Sequence, residues 1–323
     1  MKKILSVLLI TAMFTACSSG MSVEPESQKI KVVASIYPWG FFAEQIGGDL
    51  VEVNTLVPVG QEPHEYDPSP DDLKALYDAD IFIYNGAALE PWVEDVEFDL
   101  RKDDIQLFNA SSYVELIPLE GETEEHSFIP TASAHESDEV HTEYDPHFWQ
   151  DPVRVRTVVQ SMANTFANLD SANANVYLAN VKVIMNELDK IDADFSADLS
   201  LCTEREFVVS HAAFAYLAER YSLSMIPISG ISPEDEPTIK ELEEISKILE
   251  EHEISTVYTE SLVNSSFAQT VGNETGAALL VLNTLEGLTE ADIVSGDNFF
   301  SLFKKNLENL KLGLSCESQI TTP

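Results

Sequence analysis

Basic residues are scarce in this sequence. Lysine and arginine together number 18 against 56 aspartates and glutamates, which gives a formal net charge of -38 at pH 7. A nucleic-acid partner is therefore excluded, because no basic surface is available to neutralise phosphates. An acidic surface attracts cations and keeps a protein soluble, but it does not specify a fold.

Long hydrophobic runs are also missing. The apolar run from Ile4 to Phe14 follows Lys2 and Lys3 and leads to small residues around Cys17. It is too short for a spanning helix, which needs about 20 apolar residues. The pattern is that of an export signal, so we expect a signal peptide over residues 1–17 and a periplasmic or cell-surface location. Phe14-Thr15-Ala16-Cys17 resembles a bacterial lipobox, although Phe14 departs from its usual aliphatic residue, and predicts a lipid anchor on Cys17.

Cysteine is rare, with three in 323 residues. Setting Cys17 aside leaves Cys202 and Cys316. In an exported protein these two can pair and close a long loop, and two buried thiols are the alternative. The sequence leaves this choice open.

The length of 323 residues predicts two lobes, since one core rarely serves so long a chain. After a tether over residues 18–29, apolar strand patterns alternate with helical ones. The predicted strands are Ile30–Ile36, Val51–Val57, Ile81–Tyr84, Ile105–Phe108, Phe207–His211, Met225–Ile228, Ser255–Tyr258 and Leu279–Leu282. This alternation indicates an α/β fold with mainly parallel sheets.

Proline and glycine are absent between Val153 and Leu201, where apolar residues recur at helical spacing. Such a stretch predicts a rigid connector. We therefore expect an N-terminal lobe over residues 30–170, a long connecting helix over 171–201 and a C-terminal lobe over 202–323.

The segment from Leu119 to Asp145 has a different character. It holds His126, His135 and His141 among nine acidic residues, and it has no lysine or arginine. It shows no hydrophobic period, so we interpret it as a loop. Its side chains are either solvated polar filler or a weak metal-gathering arm, since histidine and carboxylate are suitable ligands.

Three histidines occupy positions where a ligand would bind. His64 follows a predicted strand, His211 ends another, and His147 lies between two Asp-Pro dipeptides that favour an extended or turning backbone. Ligands of open α/β sheets bind beyond the carboxyl ends of the strands. The three imidazoles could therefore meet in the cleft between the lobes, although His147 alone would equally suit a structural turn.

The sequence resembles the zinc and manganese solute-binding proteins of bacterial ABC transporters over nearly the whole mature chain. The motifs that carry the resemblance, in the family's order, are Ala34–Pro38, Ile46–Asp49, Glu62–Pro70, Ala79-Asp80, Asn85-Gly86, Glu90–Trp92, Asp145–Trp149, Ser210–Tyr216, Gly230–Pro233 and Tyr258–Glu260. Each motif is weak alone, and their order makes the match specific.

The resemblance implies two α/β lobes, a metal between them, and His64, His147 and His211 as its ligands. Histidine at the third position favours zinc, whereas manganese-binding members tend to carry glutamate there. The implied protein is a monomeric, non-enzymatic receptor that delivers Zn²⁺ to a membrane permease. Glu260 matches a family glutamate that we interpret as supporting the site. A manganese-binding role is the alternative within the family.

One departure from the family concerns the fourth ligand. Members often carry an aspartate where this chain has Asn283, within Leu282-Asn283-Thr284-Leu285. Asn283 is a poorer zinc ligand than a carboxylate, so Asn283, Glu65, a loop histidine or water are the candidates. Three histidines and water also form the first coordination sphere of a zinc hydrolase, but the sequence has no His-Glu-x-x-His motif and no evident general base. An adhesion role and a receptor for chelated iron or cobalamin are further alternatives, the latter less attractive with three histidines.

Overall fold

A computed structural model describes residues 29–119 and 144–316 of the chain. The predicted signal peptide, Cys17, most of the tether and residues 120–143 of the acidic segment lie outside the described residues. The strands are β1 Ile30–Ala34, β2 Val51–Thr55, β3 Ile81–Tyr84, β4 Gln106–Asn109, β5 Glu206–Val209, β6 Ser224–Pro227, β7 Thr256–Thr259 and β8 Ala278–Val281. The helices are α1 Tyr37–Gly47, α2 Pro70–Tyr77, α3 Val93–Lys102, α4 Pro152–Leu169, α5 Ala174–Leu199, α6 Ala215–Tyr221, α7 Ile239–Glu251, α8 Ser266–Thr275, α9 Glu290–Ser295 and α10 Phe299–Gly313.

The strands form two sheets of the same design. The first has the order β2-β1-β3-β4 and the second the order β6-β5-β7-β8, and every pairing is parallel. Parallel strands need crossovers, which the helices between them supply. The predicted fold, two α/β lobes with parallel sheets, is confirmed.

The helical sequence from Val153 to Leu201 forms two helices. Helix α4 ends at Leu169, and α5 then runs from Ala174 to Leu199 and packs against α4. The turn between them is built around Asp170, whose carboxylate accepts hydrogen bonds from Asn173 at 2.7 Å and from the Tyr177 hydroxyl at 2.9 Å. Aspartate favours such turns because its side chain competes with helical hydrogen bonds.

The two lobes share one hydrophobic core. Phe42 of α1 meets Phe299 of α10 with ring centroids 4.9 Å apart, and Phe195 of α5 meets Phe303 at 5.1 Å. All four rings are fully buried. Burying one such side chain stabilises a fold by about 2 kcal/mol, so this cluster resists separation of the lobes.

The C-terminal lobe has two further features. A separate small core on the second sheet contains Val208, Ile245 and Val257, with α7 and α8 packed beside it. Cys202 and Cys316 form a disulfide across a sequence separation of 114 residues, so the paired alternative is the one observed. In the described part of the chain, no helix is long and apolar enough to cross a membrane.

Candidate metal centre

His64 lies in the loop that follows β2, and a neighbouring carboxylate shapes this loop. Glu62 Oε2 accepts the backbone N–H of His64 at 2.8 Å and that of Glu65 at 3.4 Å. Gly60, four residues before His64, donates its N–H to the carbonyl of Leu288 in the other lobe at 2.8 Å, so the start of the loop contacts that lobe. The His64 side chain keeps 10% of its surface exposed.

His147 is held by the residue two positions before it. Asp145 Oδ1 lies 2.8 Å from the backbone nitrogen of His147 and 2.8 Å from its Nδ1. This carboxylate favours a proton on Nδ1, which leaves the Nε2 lone pair free. Asn85 Nδ2 donates to the carbonyl of Pro146 at 3.0 Å, so the stiff Asp-Pro turn is fixed to the end of β3. His147 and Asp145 are both buried.

His211 follows β5 and faces a carboxylate from the next strand of the sheet. Its Nδ1 lies 2.7 Å from Oε1 of Glu260, which comes directly after β7. The same oxygen accepts the backbone N–H of His211 at 3.1 Å. Glu260 thus supports the His211 ring, in agreement with its interpretation from the sequence.

The structure brings the three predicted histidines together. The ring centroids are 5.1 Å apart for His64 and His147, 6.0 Å for His64 and His211, and 5.3 Å for His147 and His211. The Nε2 atoms of His64 and His147 are 3.0 Å apart. Spacing of this kind suits nitrogens that share one ion.

A fourth group joins the histidines, and the sequence reasoning missed it. One ligand atom from each of His64, His147, His211 and Glu286 can be chosen so that all lie within 4.8 Å of one another. Glu286 is fully buried in the loop after β8. The sequence signal for Glu286 is an acidic residue just beyond the end of a strand, three residues after Asn283.

Of the candidates for the fourth position, Asn283 and Glu65 do not lie in this group, and the loop histidines His126, His135 and His141 lie outside the described residues. Asn283 uses its side chain locally, since Oδ1 accepts the N–H of Leu285 at 2.7 Å and Nδ2 donates to Ser261 at 3.0 Å. Glu65 is exposed. Glu286, three residues after Asn283 in the same loop, is the carboxylate that lies with the three histidines.

Burial and charge divide the three imidazoles. Burial lowers the pKa of His64 and His147 well below the usual value, and the other histidines of the group add to the effect. Burial also acts to lower the pKa of His211, but the carboxylates of Glu260, Glu286 and Glu62 outweigh it and raise that pKa to about 9. Two rings are therefore neutral donors, and the third sits in a negative field.

The carboxylates of the centre are destabilised in their charged form. Burial raises the pKa of Glu62 to about 8 and that of Glu286 to about 7, and each is in the field of another glutamate. Within the described residues, Glu62 Oε1, His211 Nε2 and Glu286 Oε2 are buried without a hydrogen-bond partner. Buried polar atoms normally have partners, so a cation among them would relieve both the repulsion and the missing contacts. The donor set fits a zinc ion.

Hydrogen bonds join the two loops that carry His147 and Glu286. Trp149 Nε1 donates to the carbonyl of Thr284 at 2.7 Å, and Gln150 Nε2 donates to the same oxygen. Tyr216 of α6 donates its hydroxyl to the carbonyl of Asp145 at 2.6 Å. The centre is thus assembled across the lobes by fixed contacts.

The chain has two lobes, each built on a parallel β-sheet with helices, and residues that follow strands of both sheets form one His₃Glu group. This arrangement defines a two-lobed metal-binding protein. The chain belongs to the ZnuA family, described as "Zinc-uptake complex component A periplasmic", which matches residues 32–313. The resemblance inferred from the sequence motifs is confirmed.

Relatives of known name agree with this family. The high-affinity zinc uptake system protein ZnuA of Bacillus subtilis is 33% identical over 311 residues, which cover 96% of this chain and 95% of that protein. Zinc-binding protein AdcA of Streptococcus pyogenes serotype M3 is 33% identical over 315 residues, or 96% of this chain, but the match spans only 61% of AdcA.

A solved structure shares the fold. The Zn(II)-bound ZnuA-like domain of Streptococcus pneumoniae AdcA has a TM-score of 0.74 and 31% sequence identity, and the alignment covers 88% of this chain and 99% of that one.

Proposed function

We propose that this protein is an extracytoplasmic receptor that binds Zn²⁺ tightly and delivers it to the permease of an ABC transporter. The observation that carries the proposal is the convergence of His64, His147, His211 and Glu286. The family and the zinc-related names of its relatives support zinc as the cargo.

The donor set supports zinc over manganese. Three imidazole nitrogens and one carboxylate oxygen suit Zn²⁺, which takes four ligands in tetrahedral sites, whereas Mn²⁺ prefers oxygen-rich octahedral surroundings. Neutral His64 and His147 offer lone pairs without first losing a proton, and Glu286 supplies charge.

The same count of ligands favours a binding protein over a hydrolase. Catalytic zinc sites keep one position open for water, whereas sites with four protein ligands are closed. With Glu286 in the fourth position, protein side chains supply all four ligands of tetrahedral zinc, which is the pattern of a binding site.

We infer that zinc leaves through a movement of the His64 loop. His64 is the one partly exposed histidine of the group, whereas His147 and His211 have no exposed side-chain surface. Because the lobes share an aromatic core, docking to the permease would shift this loop more easily than it would rotate a lobe.

The remaining parts of the proposal concern the export of the protein and the division of the chain into lobes. Residues 1–17 act as a signal peptide, Cys17 carries a lipid anchor and residues 18–29 are a tether. The mature protein is an exported monomer, with lobes over 30–170 and 202–323 and a connecting helix over 171–201.

Calorimetry and elemental analysis test the binding site. We expect one tightly bound Zn²⁺ per purified protein, and we expect His147→Ala to lose tight binding because it removes a central nitrogen ligand. His252→Ala is the matched control. His252 is half-exposed, and its Nδ1 lies 2.6 Å from Oε2 of Glu206, outside the group of metal-binding candidates. Unchanged tight binding in His147→Ala would refute the assignment.

A further inference from the structure

We propose that Thr284 is a positioning residue that holds Glu286 in a one-oxygen binding geometry and thereby favours four-coordinate zinc over larger cations. The inference rests on the proposed function and adds a specificity determinant to it. The Thr284 hydroxyl donates its hydrogen bond to Glu286, so Thr284 acts on the centre through that carboxylate.

The two oxygens of the Glu286 carboxylate have different surroundings. Oε1 accepts a hydrogen bond from the Thr284 hydroxyl at 2.7 Å, while Oε2 has no hydrogen-bond partner in the described part of the chain. Thr284 is 1% exposed and Glu286 is fully buried, so water does not compete for this contact. The hydroxyl occupies one oxygen and leaves the other for a metal ion.

The backbone of Thr284 is fixed from the opposite lobe. Its carbonyl oxygen accepts hydrogen bonds from Trp149 Nε1 and Gln150 Nε2, two buried groups just beyond His147. The carbonyl and the hydroxyl of one residue therefore connect the loop of His147 to the carboxylate of Glu286. A shift of either loop would therefore displace both His147 and Glu286.

The turn after Thr284 is fixed as well. Leu285 has a φ of 62°, a left-handed conformation that costs a non-glycine residue energy. Asn283 stabilises the turn by accepting the Leu285 N–H, and Asn306 pairs with the backbone of Asn283 on both its N–H and its carbonyl. Because the backbone on both sides of Thr284 is held in place, the hydrogen bond from the Thr284 hydroxyl sets the orientation of the Glu286 carboxylate.

The number of oxygens bound by the metal follows from this geometry. Three nitrogens and one oxygen give the four ligands of tetrahedral zinc. A carboxylate released from Thr284 could bind through both oxygens and give five ligands, which suits ions that prefer oxygen-rich, higher coordination, such as Mn²⁺. By holding Glu286 to one-oxygen binding, Thr284 therefore lowers the affinity of the site for Mn²⁺ relative to Zn²⁺.

Thr284→Val tests the proposal, because it keeps the shape of the side chain and removes the hydroxyl. Zinc affinity should fall about tenfold, as is typical when the partner of a metal ligand is lost. Manganese affinity should stay the same or rise, so the ratio of zinc affinity to manganese affinity should fall about tenfold or more. X-ray absorption of the zinc-loaded protein should count four nitrogen and oxygen neighbours in the wild type and five in the variant.

Two further variants make the result specific. Thr284→Ser keeps the hydroxyl and should restore the wild-type affinity ratio and coordination number. Thr289→Val removes a comparable hydroxyl–carboxylate contact, since Thr289 bonds Asp292 at 2.6 Å, and should lower the thermal midpoint without changing the affinity ratio. Thr284→Ala removes the same hydroxyl and takes the place of Thr284→Val should that variant not fold.

The outcomes separate this inference from the proposed function. A wild-type affinity ratio and four neighbours in both Thr284→Val and Thr284→Ala would overturn the positioning role, as would failure of Thr284→Ser to restore them, while zinc binding itself stood. A wild-type protein without tight zinc binding would overturn the proposed function and this inference with it.

Discussion

The two lobes have the same sheet order but opposite electrostatic roles. The N-terminal lobe contributes His64 and His147, whose lowered pKa values keep them neutral. The C-terminal lobe contributes His211 among carboxylates, together with Glu286. A repeated architecture thus supplies two unlike halves of one centre: two neutral imidazoles from the N-terminal lobe, and one imidazole beside two carboxylates, Glu260 and Glu286, from the C-terminal lobe.

This division has a physical reason. A divalent cation in a buried site needs charge compensation, but several carboxylates packed together repel one another before the ion arrives. Of the three carboxylates that raise the pKa of His211, Glu260 and Glu286 lie in the C-terminal lobe and Glu62 lies in the N-terminal lobe. The negative charge is therefore concentrated toward the C-terminal lobe, which limits the repulsion between carboxylates without removing it, since Glu286 still raises the pKa of Glu62. The following predictions compare the two lobes, from the largest expected effect to the smallest.

Removing the disulfide should weaken the C-terminal lobe selectively. Replacing both Cys202 and Cys316 by serine should lower the free energy of unfolding by about 4 kcal/mol, because the cross-link restricts a long loop in the unfolded chain. Urea unfolding gives the size of the effect, and hydrogen exchange locates it. Equal loss of protection in β1 to β4 would contradict a lobe-specific effect.

Neutralising the carboxylate of the C-terminal half should weaken zinc binding strongly. We expect Glu286→Gln to lower zinc affinity about 100-fold, or about 2.7 kcal/mol, because an amide oxygen carries no charge to offset the ion. Calorimetry at pH 7.5 measures it. Glu290→Gln, on the exposed first turn of α9, is the control and should bind zinc normally. Wild-type affinity in Glu286→Gln would remove Glu286 from the site.

The partners of His147 and His211 offer a matched comparison of the lobes. Asp145→Asn and Glu260→Gln each remove a carboxylate beside an imidazole Nδ1. Each should lower zinc affinity by about 10- to 100-fold. We expect the larger loss from Glu260→Gln, because it also reduces the negative field of the C-terminal half. Competition with a chelator of known affinity measures both, and a larger loss from Asp145→Asn would reverse the assignment of charge to the lobes.

A buried glutamate should make the N-terminal lobe sensitive to pH. Burial raises the pKa of Glu90 to about 7, although Ser35 and the backbone of Asn85 and Gly86 donate to its carboxylate. A raised folded-state pKa gives stability that is complete below about pH 4.5 and lost as the pH rises through 7.

Glu90→Gln tests this dependence in metal-free protein. Between pH 5 and pH 8 the wild type should lose about 1–3 kcal/mol more unfolding free energy than the variant, measured by urea unfolding. Glu94→Gln, at an exposed position on α3, should follow the wild type. Parallel curves for wild type and Glu90→Gln would show that this carboxylate does not titrate in that range.

The sequence predicted the features that depend on local pattern. All eight strands are present near their predicted positions, since buried parallel strands have apolar, β-branched runs between turn signals. The three histidines were found because each belongs to a motif at a strand end or beside Asp-Pro. The short helices α3 and α9 were not predicted, because neither carries a long apolar stripe.

What escaped prediction depends on contacts between distant residues. Glu286 became recognisable only when β8 placed its loop against Trp149 and Gln150, more than 130 residues earlier in the chain. Residue type alone did not distinguish Glu286 from the many solvated glutamates of the chain.

Tyr216 also has a consequence for how this chain can change over time. Its hydroxyl accepts the N–H of Ile117 at 3.0 Å and donates to the carbonyl of Asp145, while Asp145 N–H bonds the carbonyl of Ile117 at 2.9 Å. The chain therefore departs and returns at adjoining points. For a flexible segment whose two ends are held together, doubling its length costs only about 0.6 kcal/mol. Insertions, deletions or exchanged sequence between Ile117 and Asp145 would leave His147 in place. The segment between these residues is therefore a position where evolution or engineering can change the chain without altering the metal centre.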